Sequence, residues 1–348
     1  MKLFDRRHRS ILVILALAVA LVFGMMIATS LGTVAIPSNE VARMLLDRLP
    51  VLSCAPTWTE QAEVIIFQIR LPRVVTAVVV GSALAVAGAI FQGLLRNPMA
   101  DPYIIGTSGG AALGATIALL LPIRVVWYGF TLVPLAAFAG SLITVLIVYH
   151  IAQVGPRTPI TTLLLSGFAI SSMMAAVMSF LMLIRGRTLH QVILWTMGGV
   201  TASGWPQLEI VTPLILAGMF LAYSLASDLN AFLLGEEQAA HLGVNVERRK
   251  LVLLMAGSLL TGAAVSISGL VGFIGLVVPH VARLIFGPDH YLLLPASALL
   301  GSLFLVLADL LARVIMAPAE IPVGIITAMG GAPFFIYLLR QSKREYIF

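Results

Sequence analysis

Between residues 11 and 39 the chain carries no charged side chain, a run longer than the roughly 20 residues an α-helix needs to cross the hydrocarbon layer of a bilayer. Lys2, Arg6, Arg7 and Arg9 precede it. A secretory signal peptide opens in the same way, but its apolar part is only about 7 to 15 residues, so the run reads as a retained first span. Its basic flank sets the N-terminus in the cytoplasm. Apolar runs recur at 64–95, 103–121, 126–152, 160–184, 205–226, 251–266, 272–286, 291–311 and 323–339, which makes ten spans. Hydropathy allows nine to eleven, because 192–200 also reads as a short surface helix and 266–272 leaves room only for a tight turn. Backbone in lipid must satisfy its own hydrogen bonds. The expected fold is therefore all-α, one polytopic membrane domain over residues 1–348.

A mean hydropathy of +1.04 exceeds what a soluble core can bury. The single cysteine, Cys54, excludes a disulfide framework or a thiolate cluster within the chain. A net charge of +6 raises nucleic acid as a partner, but the cations are scattered between apolar runs rather than gathered on one face. They act as topology signals: the ten-span arrangement sets 13 of the 21 Lys and Arg in the cytoplasm and 8 outside, the expected bias. It also returns the C-terminus, with Arg340, Lys343 and Arg344, to the cytoplasm. Arg70, Arg73, Arg185, Arg187 and Arg313 fall outside, against that bias.

One long polar island interrupts the apolar pattern. Residues 234–250 hold Glu236, Glu237 and Glu247 with Arg248, Arg249 and Lys250, inside a cytoplasmic loop over 227–250. Such a surface meets something soluble. Glu236 and Glu237 suit the positive end of a helix, and Arg248, Arg249 and Lys250 read as interfacial anchors of the next span.

Catalytic chemistry is scarce. None of the three lysines follows a glycine, which excludes a P-loop ATPase. Ion-coupled carriers hold acids at membrane depth, and only Glu209 and Asp309 lie within spans, both near the external end. Asp309 sits four residues before Arg313, a spacing that allows an ion pair on one helix face or a proton relay. The six histidines show no metal-ligand pair at helical spacing, so neither a metal nor a cofactor is expected. His280 reads as a pathway residue or a packed one. Gly81, Ala85, Ala89 and Gly93 form one stripe at helical spacing and Gly106, Gly110 and Gly114 another, as close helix contacts in lipid require; Gly106 to Gly110 also reads as an anion cradle. Pro279 is the strongest candidate for a kink.

Several ordered segments resemble the FecCD type of ABC importer permease: residues 70–85 from Arg70-Leu-Pro-Arg73, residues 92–106 from Gln92-Gly-Leu-Leu-Arg-Asn-Pro98, Leu194-Trp-Thr-Met-Gly-Gly199, 234–246, Gly272-Phe-Ile-Gly-Leu-Val-Val-Pro-His280, Ala308-Asp-Leu-Leu-Ala-Arg313, Glu320-Ile-Pro-Val-Gly324 and Gly331-Ala-Pro333. The likeness covers nearly everything from residue 64 onward. It implies the type II importer architecture of ten helices, a homodimer or pseudo-dimer around a central pathway, two cytoplasmic ATPase subunits and an external substrate-binding protein, all in the bacterial cytoplasmic membrane. The implied cargo is a metal chelate: a ferric siderophore, haem or a cobalamin. The family's coupling helix falls on Gly235, Glu236, Glu237, Gln238, Ala239, Ala240, His241, Leu242 and Gly243. Its external arginines, which pair with glutamates of the binding protein, fall on Arg70, Arg73 and Arg313; snorkelling at a helix start is the plainer reading of Arg70 and Arg73. Its cytoplasmic gate falls on Ile160 and Thr161. Met173, Met174 and Met178 serve equally as an adaptable pathway lining or as core. An ion-coupled secondary carrier and a structural membrane subunit without a pathway are the rival readings; the first needs mid-membrane acids, and the second leaves the island and the external arginines without a task.

Overall fold

The computed structural model describes residues 2–32, 34, 36–48, 58–122, 131–184, 189–200 and 204–345; Arg185, Arg187 and Cys54 lie outside them. The described residues form fifteen α-helices: α1 (Lys2–Ser30), α2 (Ser38–Asp47), α3 (Glu60–Val64), α4 (Leu71–Leu94), α5 (Thr107–Leu120), α6 (Leu132–Ala152), α7 (Ile160–Ile184), α8 (Leu189–Thr196), α9 (Trp205–Ser224), α10 (Ala226–Leu233), α11 (Glu236–His241), α12 (Val246–Ser268), α13 (Ile274–Phe286), α14 (His290–Val314) and α15 (Val323–Glu345). Each of the ten expected spans has its helix. Seven helices are long and apolar enough to cross a membrane, and shorter apolar helices occupy 107–120, 274–286 and 323–338.

α4 is the axis of the bundle. It packs against α12, α13 and α14, and its stripe of small residues explains how so many neighbours reach it. A side chain added at Gly81 would stand 2.3 Å from the Gly301 carbonyl of α14, and one at Gly88 would stand 1.9 Å from the Gly275 carbonyl of α13. Backbones this close gain dispersion contacts that lipid cannot match. The second stripe does the same for α5 and α6, where Gly110 meets the Gly140 carbonyl and Gly114 that of Ala136. Both stripes are packing surfaces. α7 is the opposite case, with Leu165, Phe168, Met173, Val177, Phe180 and Leu183 all exposed along it.

α13 runs unbroken through Pro279. Proline has no N–H, so the carbonyl four residues earlier loses its helical donor. That carbonyl belongs to Gly275, and the buried Gln92 amide of α4 donates to it at 3.3 Å and to Leu276 O at 3.0 Å. The expected kink site is thus a helix whose missing bond is supplied from outside. Before α13 the chain turns through Gly269 and Phe273, both at positive φ. The Gly198-Gly199 pair packs on this turn, Gly199 N donating to Ser268 O at 2.7 Å.

Two short helices between the first two spans, α2 and α3, escaped sequence reading, as did α10 at the start of the cytoplasmic loop. Ile36, Val41, Met44 and Ile66 form a small apolar cluster of their own. A π-helical turn over Ile65–Arg70 leads from α3 into α4.

Candidate functional site

The polar island folds into a helix with two unlike faces. Gly235 enters α11 at φ 116°, a conformation glycine adopts freely, and Gly243 closes it at φ 86°. Val244 N reaches Ala239 O and Gly243 N reaches Ala240 O, the paired bonds of a glycine-terminated helix end. Gly235 and Ala239 are buried and Glu236 is half-buried, whereas Glu237, Gln238, Ala240, His241, Leu242 and Gly243 are exposed. Leu242 is 65% exposed and Leu234 60%, apolar surface offered beside charge. Ala239 joins the main core, so the face that looks outward is fixed from beneath.

Lys250 does that fixing, and here the expectation of an exposed anchor is corrected. Its side chain is only 1% exposed. The ammonium lies 2.9 Å from a Glu236 oxygen and 3.3 Å from Glu247, and it donates to the Thr158 carbonyl at 2.9 Å. Glu247 in turn accepts from the Thr158 amide at 3.0 Å. An ammonium has three donors, and all three find oxygen. Arg248 and Arg249 keep the exposed character expected of them, and Arg249 pairs with Asp228 of α10 at 3.2 Å.

The chain leaves Thr158 through Pro159 into α7. Ile160 is half-buried against the main core, and Thr161 is exposed. Met173 is exposed, while Met174 is half-buried and its sulfur lies 3.3 Å from the Thr144 hydroxyl.

At the opposite end of the bundle Arg70, Arg73 and Arg313 come together, but not as free charges. All three are buried. Arg313 donates to Ala28 O at 2.9 Å and Leu31 O at 3.2 Å. Arg70 donates to Thr29 O at 3.0 Å, to Ser30 O at 2.8 Å and also to Val34 O. These are carbonyls at and just beyond the end of α1, where helical donors run out, and α1 has no basic residue of its own in its last turn. Cations borrowed from the π-helical turn before α4 and from α14 complete it. Asp309 lies between two of the arginines, 2.8 Å from Arg73 and 3.1 Å from Arg313. The expected four-residue ion pair is present. The missed partner is Glu320, which meets Arg73 at 2.9 Å and could be read from sequence only by knowing that the α14–α15 turn folds back over α4. Arg73 and Glu320 also line a cavity of about 530 Å³ with Trp195, Gln207, Gly269 and Val323.

Near the island end Asp101 caps the 3-10 turn Pro102–Ile105, accepting from the Tyr103 amide at 2.8 Å. Burial pushes its carboxyl up to about 6, and the amide bond pulls the other way.

Residues 20–341 match the FecCD transport family. The chain belongs to that family. It is 45% identical to the cobalamin import system permease protein BtuC of Halobacterium salinarum, over 90% of this chain and 88% of the relative. It is 44% identical to the hemin transport system permease protein HmuU of Yersinia pestis, over 80% and 83%, and 36% identical to the Fe(3+)-citrate import system permease protein YfmE of Bacillus subtilis, over 98% of each. A metal-chelate type ABC transporter solved in an inward-facing conformation superposes with a TM-score of 0.79 at 32% identity, covering 94% of this chain and 99% of that one. As a FecCD-family permease the chain is a helical membrane protein, and its relatives are transport subunits.

Proposed function

We propose that this chain is the permease subunit of an ABC importer for a metal chelate of the cobalamin, haem or ferric-siderophore class. Two copies form the pathway in the cytoplasmic membrane, with both termini inside. Two ATPase subunits dock on the exposed strip of α11, and a substrate-binding protein docks at the opposite end. The carrying observation is the division of α11 into a buried face and an exposed face bearing Leu242, Glu237 and His241: a six-residue helix with apolar side chains in water and its underside built into the bundle is a contact surface for a soluble partner. The gate is assigned to Ile160 and Thr161, where two copies of α7 would face each other.

Arg70, Arg73 and Arg313 belong to the binding-protein end of this reading. Because their guanidinium groups are spent on α1, Asp309 and Glu320, their contribution to docking is to hold α1, α4 and α14 level beneath the contact.

The test is reconstitution in liposomes with cobalamin, haemin and ferric citrate offered separately. Uptake of one of them that needs ATP, the ATPase and the binding protein together is the expected outcome. Uptake driven by an ion gradient without the ATPase would replace the proposal with a secondary carrier.

A further inference from the structure

We infer that Lys250 is the mechanical link between the ATPase-facing helix α11 and the gate end of α7, an inference that rests on the permease reading above. Three separate segments converge on one buried ammonium. Glu236 comes from the first residue of α11, Glu247 from the first turn of α12, and Thr158 from the stretch of chain that feeds α7. Thr158 is held on both sides, its carbonyl by Lys250 and its amide by Glu247, and it is itself buried. Two residues later α7 begins at Ile160. Thr162 adds bonds from its hydroxyl to Ala152 O at 2.9 Å and Pro159 O at 2.8 Å, so the segment between α6 and α7 is a short braced elbow.

Charge geometry makes this a transmitting contact. A buried ammonium needs its oxygens, because leaving it unpaired carries a heavy desolvation cost. When α11 is displaced, Glu236 moves, and Lys250 must follow it or lose it; in either case the Thr158 carbonyl feels the change. Glu236 is 38% exposed and Glu247 30%, against 1% for Lys250. The two acids can thus trade protein for water as α11 shifts, whereas the cation cannot. Lys250 is a positioning residue that acts through Thr158.

The test compares Glu236→Gln, Lys250→Met and the double variant with the wild type. In nanodiscs, with no partner present, hydrogen exchange over residues 157–164 is measured. Faster exchange in Lys250→Met is expected, and unchanged exchange overturns the link whatever the chain transports. In liposomes with the partner ATPase and binding protein, uptake of the same three chelates per ATP hydrolysed is measured. Glu236→Gln is expected to lose about tenfold in uptake per ATP hydrolysed, the equivalent of one charged hydrogen bond. The double variant is expected to be no worse than Lys250→Met alone, since residues on one path do not add. Wild-type uptake per ATP in both single variants overturns the link, as does an additive double variant. Absent wild-type uptake overturns the permease reading instead, and the exchange measurement still judges the contact. Glu236→Gln, at a half-exposed position, keeps the test open should Lys250→Met fail to fold.

Discussion

The two ends of the bundle solve the problem of charge near lipid in opposite ways. At the end of α1, Arg73 and Arg313 share Asp309, Arg73 also meets Glu320, and Arg70 and Arg313 donate to backbone carbonyls of that helix terminus. Cations outnumber acids there, and the partial negative charge of the helix end makes up the difference. At the island end the ratio is reversed: one lysine sits among two half-exposed acids and a carbonyl. Asp309, 1% exposed between two buried arginines, has no cheap alternative arrangement and acts as a lock. A buried cation whose acids already touch water has alternatives and suits a part that moves.

Breaking the lock carries the largest expected effect. Asp309→Asn keeps the shape but removes the carboxylate charge that Arg73 and Arg313 share, both of them buried, and loss of one partner from a buried ionic cluster costs about 3–5 kcal/mol. Thermal unfolding of the purified permease in detergent should show it. Lys250→Met, measured the same way, is expected to cost less, about 1–3 kcal/mol, because the acids it leaves can be rehydrated. Equal losses for the two variants would erase the distinction between lock and link.

Acidity separates the ends further. The Asp101 carboxyl is raised from 3.8 to about 6 in the fold, so the folded state holds a proton that the unfolded chain releases. Its contribution to stability is present below about pH 4 and is lost as pH rises through about 6. Asp101→Asn should flatten the stability profile across that window in a pH series of unfolding midpoints. A smaller effect is expected on the outer face of α11. Leu242→Ala should leave stability within about 0.5 kcal/mol yet weaken ATPase binding about fivefold, or ~1 kcal/mol, in titrations on nanodisc-embedded permease.

The ten spans are legible because lipid demands long apolar runs, and each run became a helix. The glycine stripes are legible for the same reason: Gly81 and Gly110 repeat at the spacing that close backbones need. What sequence conceals is how isolated polar residues find one another. Gln92 and Pro279 are separated by more than half of the chain, yet Gln92 supplies the donor that proline lacks. Arg70 and Arg313 look like outward charges until α1 is seen to end without a cation of its own. Lys250 looks like an interfacial anchor because it follows Arg248 and Arg249, but one helical step turns it inward toward Thr158. In each case the governing quantity is the satisfaction of a buried group, which depends on residues far away in the chain.

Arg48 supplies the control for the whole comparison. It pairs with Glu63 at 2.6 Å, shorter than any ion pair of Asp309 or Lys250, and its guanidinium lies 4.7 Å from the centre of the Phe67 ring. By geometry alone it outranks every contact of Asp309 or Lys250. Its side chain is nevertheless 62% exposed and that of Glu63 39%, so water and salt compete for both charges, and such pairs contribute about 1 kcal/mol or less. Arg48→Ala is therefore expected to lower the unfolding midpoint least of all these variants, with the deficit shrinking further at about 1 M salt, where screening acts within about 3 Å. A loss comparable to that of Asp309→Asn would mean that distance, and not burial, sets the strength of these clusters, and the contrast between the two ends would have to be rebuilt on that footing.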